Sequence, residues 1–319
     1  MGMHVTRYIR YIYIIFTAFF VTYAAPTYAA DEGACTVVNG EITDDPTTTD
    51  DYHYCFPDFQ SARVNFYDIL VCPKEPSLST YLDECTSLYS DADGQFVELA
   101  KGQQFAMPSS GPISIMPGTY THLAMVIEPK LYHKFELKFD GNRMGVNNSV
   151  GEYCWTISGE SWKFGYQYTL SNVECGTQAD MLANATFSTE KAMRCKSGLL
   201  KTVIPFAWNA SNTKYASAAS VGSDKKTAIS GHNDPCPSSP SAVPTINYNV
   251  NFQLLATPLV ITPSTTTIDF YFDPTEAGLL KMMSPGEGTG GSLCPGAPNT
   301  APCIATIRSK APEFIITAR

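Results

Sequence analysis

The sequence predicts an all-β protein: an antiparallel β-sandwich, stapled by disulfides and interrupted by a long irregular insertion. Three observations carry that expectation. Apolar and polar residues alternate with period two, most cleanly where Ile246, Tyr248, Val250, Phe252 and Leu254 interleave with Asn247, Asn249, Asn251 and Gln253. Only 16% of the residues are charged, while Thr, Ser, Asn, Gly and Pro are plentiful, a balance that suits extracellular β proteins. An even number of cysteines follows an export-type N-terminus.

That N-terminus is the strongest single signal. Arg7 and Arg10 form a basic region, Tyr11 to Val21 is apolar and aromatic, and small residues follow at Ala24, Ala25, Ala29 and Ala30. This is the pattern of a secretory signal peptide over residues 1–29, cut after Ala29 with Thr27 at the minus-three position. The apolar run has about half the ~20 residues that a membrane span needs. No later segment is expected to cross a membrane. The expected location is therefore extracellular, on the cell surface or periplasmic.

The cysteines are Cys35, Cys55, Cys72, Cys85, Cys154, Cys175, Cys195, Cys236, Cys294 and Cys303. Ten allow on the order of a thousand connectivities. Sequential pairing is the expectation, with Cys72–Cys85 and Cys294–Cys303 foremost. No Cys-x-x-Cys knuckle or His-x₃₋₅-His occurs, so no metal site is expected.

Residues 30–60 form an acidic segment, with a short strand from Cys35 to Ile42 and a solvated Thr-rich stretch from Glu41 to Asp51. Ala62 to Cys72 is a strand in which Ala62, Val64, Phe66, Leu70 and Cys72 share one face. Asp68 interrupts that face, the one acid whose placement is odd; a bent strand or a backbone hydrogen bond is the first explanation. Ser77 to Tyr89 holds a helical turn or two, or a stapled loop. Ser90-Asp91-Ala92-Asp93-Gly94 is a turn into the strand Gln95 to Leu99.

Pro117-Gly118 opens the longest β-branched and aromatic run, ending at Ile127. With Glu128-Pro129-Lys130 as a loop, Ile127 faces Leu131 in a hairpin. Thr121, Leu123, Met125 and Ile127 then share a face with Leu131, His133, Phe135 and Leu137, and a slip of one residue would spoil it. Tyr120 and His122 lie on the mixed face, left for a partner or neighbouring strand, and His122 and His133 point oppositely.

Residues 141–244 form the irregular insertion. It has strands at Glu152 to Ile157, Phe164 to Leu170 and Leu199 to Trp208, a helix at Met181–Ala185 or Thr189–Met193, and a loop from Ser217 to Pro244. Trp155, Trp162 and Tyr166 are candidates for a partner-facing aromatic platform, with core packing as the plainer use. Asn147, Asn184 and Asn209 stand in Asn-x-Ser/Thr triplets. After the amide-faced strand, Thr257-Pro258-Leu259-Val260-Ile261 passes a proline that marks an edge or a bulge. Thr266 to Asp273, Cys303 to Arg308 and Pro312 to Ala318 complete the strands. The domain reading is one sandwich over 61–319; the alternative splits it into 61–216 and 245–319.

A net charge of −9 argues against nucleic acid. No Gly-x-Ser-x-Gly elbow, phosphate loop or dinucleotide fingerprint occurs, so no catalytic residue and no cofactor is assigned. The strand order around Val64–Cys72 and Phe96–Leu99, with Met116-Pro117-Gly118-Thr119-Tyr120-Thr121 opening a long strand and Ile268-Asp269-Phe270-Tyr271-Phe272-Asp273 late, resembles prealbumin-like (carboxypeptidase-regulatory or collagen-adhesin B type) β-sandwich domains of bacterial surface proteins. That resemblance covers about half the chain and implies an Ig-like architecture and a surface or adhesive role. The expected function is that of a secreted or cell-surface structural or adhesion protein without catalysis, its partners a second copy, another surface protein or a glycan. The alternatives are an extracellular carbohydrate or small-ligand binding module and, third, a secreted hydrolase.

Overall fold

In the computed structural model the described residues are 33–45, 52–58, 60–100, 104–105, 115–161, 163–164, 167–168, 172–191, 193–196, 199–202, 215–227, 247–273, 275–285, 301–309 and 313–319. They are mostly strand, in curled sheets, with three disulfides among them. The chain begins with β1 (Gly33–Ala34), β2 (Val37–Val38) and β3 (Glu41–Ile42). Asn39 and Gly40 turn β2 into β3 with φ of 53° and 83°, the double left-handed turn that an Asn-Gly pair adopts readily. β4 (Tyr52–Phe56) pairs with β1, and β5 (Ser61–Cys72) follows. After a one-turn helix α1 (Tyr81–Glu84) comes β6 (Thr86–Ala100), then β7 (Gln104–Phe105), β8 (Gly118–Ile127), β9 (Lys130–Lys134) and β10 (Glu136–Met144).

The stretch expected to be irregular carries β11 (Val150–Thr156), β12 (Glu160–Ser161), β13 (Lys163–Phe164), β14 (Gln167–Tyr168) and β15 (Val173–Gly176). The helix α2 (Gln178–Asn184) starts at a capping box between Thr177 and Asp180. β16 (Ser188–Lys191), β17 (Met193–Lys196), β18 (Leu199–Thr202) and β19 (Tyr215–Val221) follow. Of the two alternative places for the expected helix, the first carries it, as α2; Thr189 lies in β16, which pairs with β9. The expected loop from Ser217 also begins as a strand, because β19 pairs along β20 (Tyr248–Ile261). Last come β21 (Ile268–Asp273), β22 (Gly278–Met283), β23 (Cys303–Ser309) and β24 (Glu313–Ala318).

Two large sheets result. One runs β1-β4-β22-β23-β10-β11-β15, with β3 on β10 and β2 on β3; the other runs β12-β16-β9-β5-β8-β20-β19, with β6 on β5. A small sheet, β24-β21-β7, adds a third piece. Pairing is mostly antiparallel, but β1 with β4, β3 and β23 with β10, and β12 with β16 are short parallel contacts. The main apolar core draws on all three sheets through residues such as Phe66, Met125, Phe139, Leu280, Ile307 and Phe314. Residues Asp31–Arg319 form one compact unit.

The expected hairpin does not form. Leu131 and Ile127 are not opposite each other: β8 and β9 follow one another along the same edge of β5, Cys72 to Phe66 facing His122 to Ile127 and Arg63 to Ser61 facing Tyr132 to Lys134. Glu128-Pro129 is a kink in that line, with the Glu128 amide still donating to the Asn65 carbonyl at 2.9 Å. The proline lacks the N–H for one rung but does not reverse the chain. Leu123, Met125, Ile127, Leu131, Phe135 and Leu137 all face the main core as the pattern required.

The alternation of amides along β20 implies a solvated face, but that face is not solvated. Asn249, Asn251 and Gln253 are fully buried. β20 is flanked by β8 and β19, and both its faces are covered. Gln253 shows how an amide survives there: its Nε2 donates to the Phe314 carbonyl at 2.8 Å and its Oε1 accepts from the Phe314 amide at 3.2 Å. The side chain acts as one rung of a neighbouring strand, tying β24 to the large sheet.

Three disulfides lie among the described residues, each between sequential cysteines: Cys35–Cys55, Cys72–Cys85 and Cys154–Cys175. Cys303 is also disulfide-bonded. Cys236 and Cys294 lie outside the described residues, as does the side chain of Cys195. No described helix is long and apolar enough to cross a membrane.

Candidate functional site

Asp68 owes its position to a bulge. Phe66 faces Gln95 and Asp68 faces Ser90 on β6, so residues 91–94 loop out opposite Tyr67. The expected turn at Ser90–Gly94 therefore exists locally, with Gly94 at φ 74° and the Asp93 amide donating to the Asp91 carboxylate, but the strand continues through it. The extra residue reverses the alternation of β5. Ala62, Val64, Phe66, Ile69 and Val71 face the main core, whereas Leu70 and Cys72 join Tyr81, Ala124, Val126 and Phe252 in a second apolar cluster. Asp68 thus lies on the second face and interrupts nothing.

The second cluster is closed by α1, held by Cys72–Cys85, and by a turn at residues 222–227. Lys225 sits on that turn at φ 59°, a conformation uncommon for a side-chain-bearing residue. Its Nζ is 2.6 Å from Asp68 Oδ2, while Ser90 Oγ donates to Asp68 Oδ1 at 2.6 Å. The same ammonium lies 5.2 Å from the ring centre of Tyr248 and 6.0 Å from that of Tyr67. Those two rings meet edge to face at 4.7 Å. Tyr81 Oη donates to the Lys225 carbonyl at 2.9 Å, and Lys226 reaches Asp83 at 2.8 Å. Burial pushes the Tyr81 phenol well above its ordinary range.

A second site lies at the other interruption of the same sheet. Leu254 faces His122 and Leu259 faces Tyr120, so Leu255–Pro258 bulge opposite Thr121, as the proline signalled. β19 covers the edge of β20 only as far as Gln253. Beyond it, among the described residues, no strand lies on that edge. β24 pairs with β21 on one side, and its other edge meets the Gln253 amide at Phe314. By the two-residue repeat of a strand, Ile316 and Ala318 present main-chain groups the same way. Between the two edges runs a groove of about 410 Å³, lined by Leu255, Pro258, Leu259, Val260, Phe314 and Ile316 among others. Val260 and Ile315 are 54% and 41% exposed at its walls.

Of the residues singled out for a partner, Tyr120, His122 and Trp155 are described, and all three are buried. Tyr120 is buried with its hydroxyl donating to the Met116 carbonyl at 2.8 Å. His122 is buried, its Nδ1 2.9 Å from Thr121 Oγ1; burial holds the imidazole below its usual range, with Glu75 pulling weakly upward. Trp155 is buried in β11, and Trp162 and Tyr166 lie outside the described residues. His133 packs against Phe135 in the main core, on the face opposite His122. Cys35, Asp44 and Cys55 have ligand-type atoms within 4.8 Å, but both sulfurs are spent in their disulfide. In the described part of the acidic stretch, residues 41–45, the carboxylates are paired: Asp44 meets His53, Asp45 meets buried Arg143, and Glu41 meets Lys138, while residues 46–51 lie outside the described residues.

Two lysines escaped the sequence reading. Lys281 is buried on β22, its Nζ 5.2 Å from the Tyr54 ring centre, and burial pushes its amine down to about 8. A lysine inside the apolar run Gly278–Met283 was the available signal. Lys225 had none, being 157 residues from Asp68. No protein-family model, curated protein or solved structure matches the chain.

Proposed function

We propose that this is an exported, non-catalytic surface protein, a disulfide-stapled sandwich of Ig-like build, that assembles with further copies by strand addition at the groove between β20 and β24. The supporting observation is the pairing of two strand edges across an apolar channel with exposed Val260 and Ile315 on its walls. An edge offers main-chain hydrogen bonds to an incoming strand, and apolar pockets beside it select alternate side chains. Monomeric proteins usually blunt such edges with charge, and among the described residues the groove lining carries none. Export is supported by the three disulfides, which persist in oxidising compartments. Analytical ultracentrifugation of the mature chain tests the reading: it should self-associate with concentration, and Val260→Lys with Ile315→Lys should leave a monomer of unchanged melting temperature. A wild type that stays monomeric throughout the series sinks the proposal.

A further inference from the structure

The cluster at the β5 bulge has the parts of a cation receptor. Two tyrosine faces and one buried carboxylate converge on a single ammonium. Aromatic faces attract cations through the ring quadrupole, and the attraction grows as water is excluded. Asp68 supplies the directional acceptor and is itself oriented by Ser90. Its occupant arrives from far along the chain on a short turn whose backbone is unfavourable at that very residue. The turn is otherwise fixed to α1 by the Tyr81 hydrogen bond and by the exposed Lys226–Asp83 pair. The ammonium is thus held by side chains of β5 and β20 and delivered by the turn that follows β19.

We propose that Tyr67, Tyr248 and Asp68 form a binding site for a primary alkylammonium, filled in cis by Lys225, for which a lysine side chain of a partner chain competes. The site is separate from the groove, so it stands or falls independently of strand addition. Lys225→Gly tests it, since glycine accepts φ 59° and only the side chain is lost. The variant should melt lower than wild type and regain most of that loss with n-butylammonium, the free counterpart of the lysine side chain. Tetramethylammonium, which has no N–H for Asp68, should restore little more than sodium at equal ionic strength. Equal recovery with all three salts, or none with any, overturns the proposal. If the glycine variant does not fold, the wild type decides: n-butylammonium should speed amide exchange severalfold across residues 222–227, and an unmoved exchange rate overturns the site.

Discussion

Two register breaks in the sheet built on β5, β8 and β20 are treated oppositely. At the β5 bulge the outer face is sealed by a stapled helix, a turn and a buried ion pair. At the β20 bulge no charged residue stands among the described groove residues, and apolar side chains line the groove. A bulge frees main-chain groups and redirects side chains; whether it becomes scaffold or surface depends on what the chain brings back to cover it. Here charge closes one bulge, and among the described residues the other lies open.

The largest expected effect lies at the sealed bulge. Asp68→Ala leaves the Lys225 ammonium without its carboxylate and should cost about 3 kcal/mol, the low end for breaking a buried pair because Lys225 keeps some water. Urea unfolding measures it, and a loss below about 1 kcal/mol, the range of surface pairs, would erase the contrast between the two bulges. Next comes the geometry of the same bulge. A Cβ at Gly94 would meet Asn65 Oδ1 at 2.7 Å and Tyr67 Cε1 at 2.9 Å, at a φ that side chains rarely adopt. Gly94→Ala should therefore cost about 1–3 kcal/mol in the same assay.

The smallest effect concerns the row beside the β20 bulge, where His122 lies opposite both Cys72 and Leu254. Burial lowers its pKa in the folded state, so the unfolded chain binds the proton more readily. The stability it contributes is complete above the ordinary histidine range near 6.5 and declines as pH falls through that value. His122→Gln should flatten the dependence of melting temperature on pH between about 5 and 7. An unchanged slope would assign the titration elsewhere.

The strands that form the two bulges were largely legible, because period-two alternation survives single-sequence reading; so were the three sequential disulfides. What failed is instructive. Alternation gives the face of each residue but not its neighbour, so β8 and β9 were paired with each other when both border β5. A bulge shifts parity without changing composition, so Leu70 and Cys72 were placed with Ala62 when they lie on the other face. Amides read as wet because amides usually are, yet Gln253 is dry, its carboxamide satisfied by a peptide group from another sheet. The groove was half visible: Pro258 announced the bulge, but nothing local announced that β24 would stop opposite it.

The separation of Asp68 from Lys225 also sets an order in time. β5 leaves the ribosome 157 residues ahead of its counter-ion, about 10–30 s at ordinary elongation rates. Through that interval its apolar faces can begin to pair while one carboxylate on them still requires water. The second apolar cluster, which also needs Val250 and Phe252 of β20, cannot close dry until that turn is made and β20 has followed it.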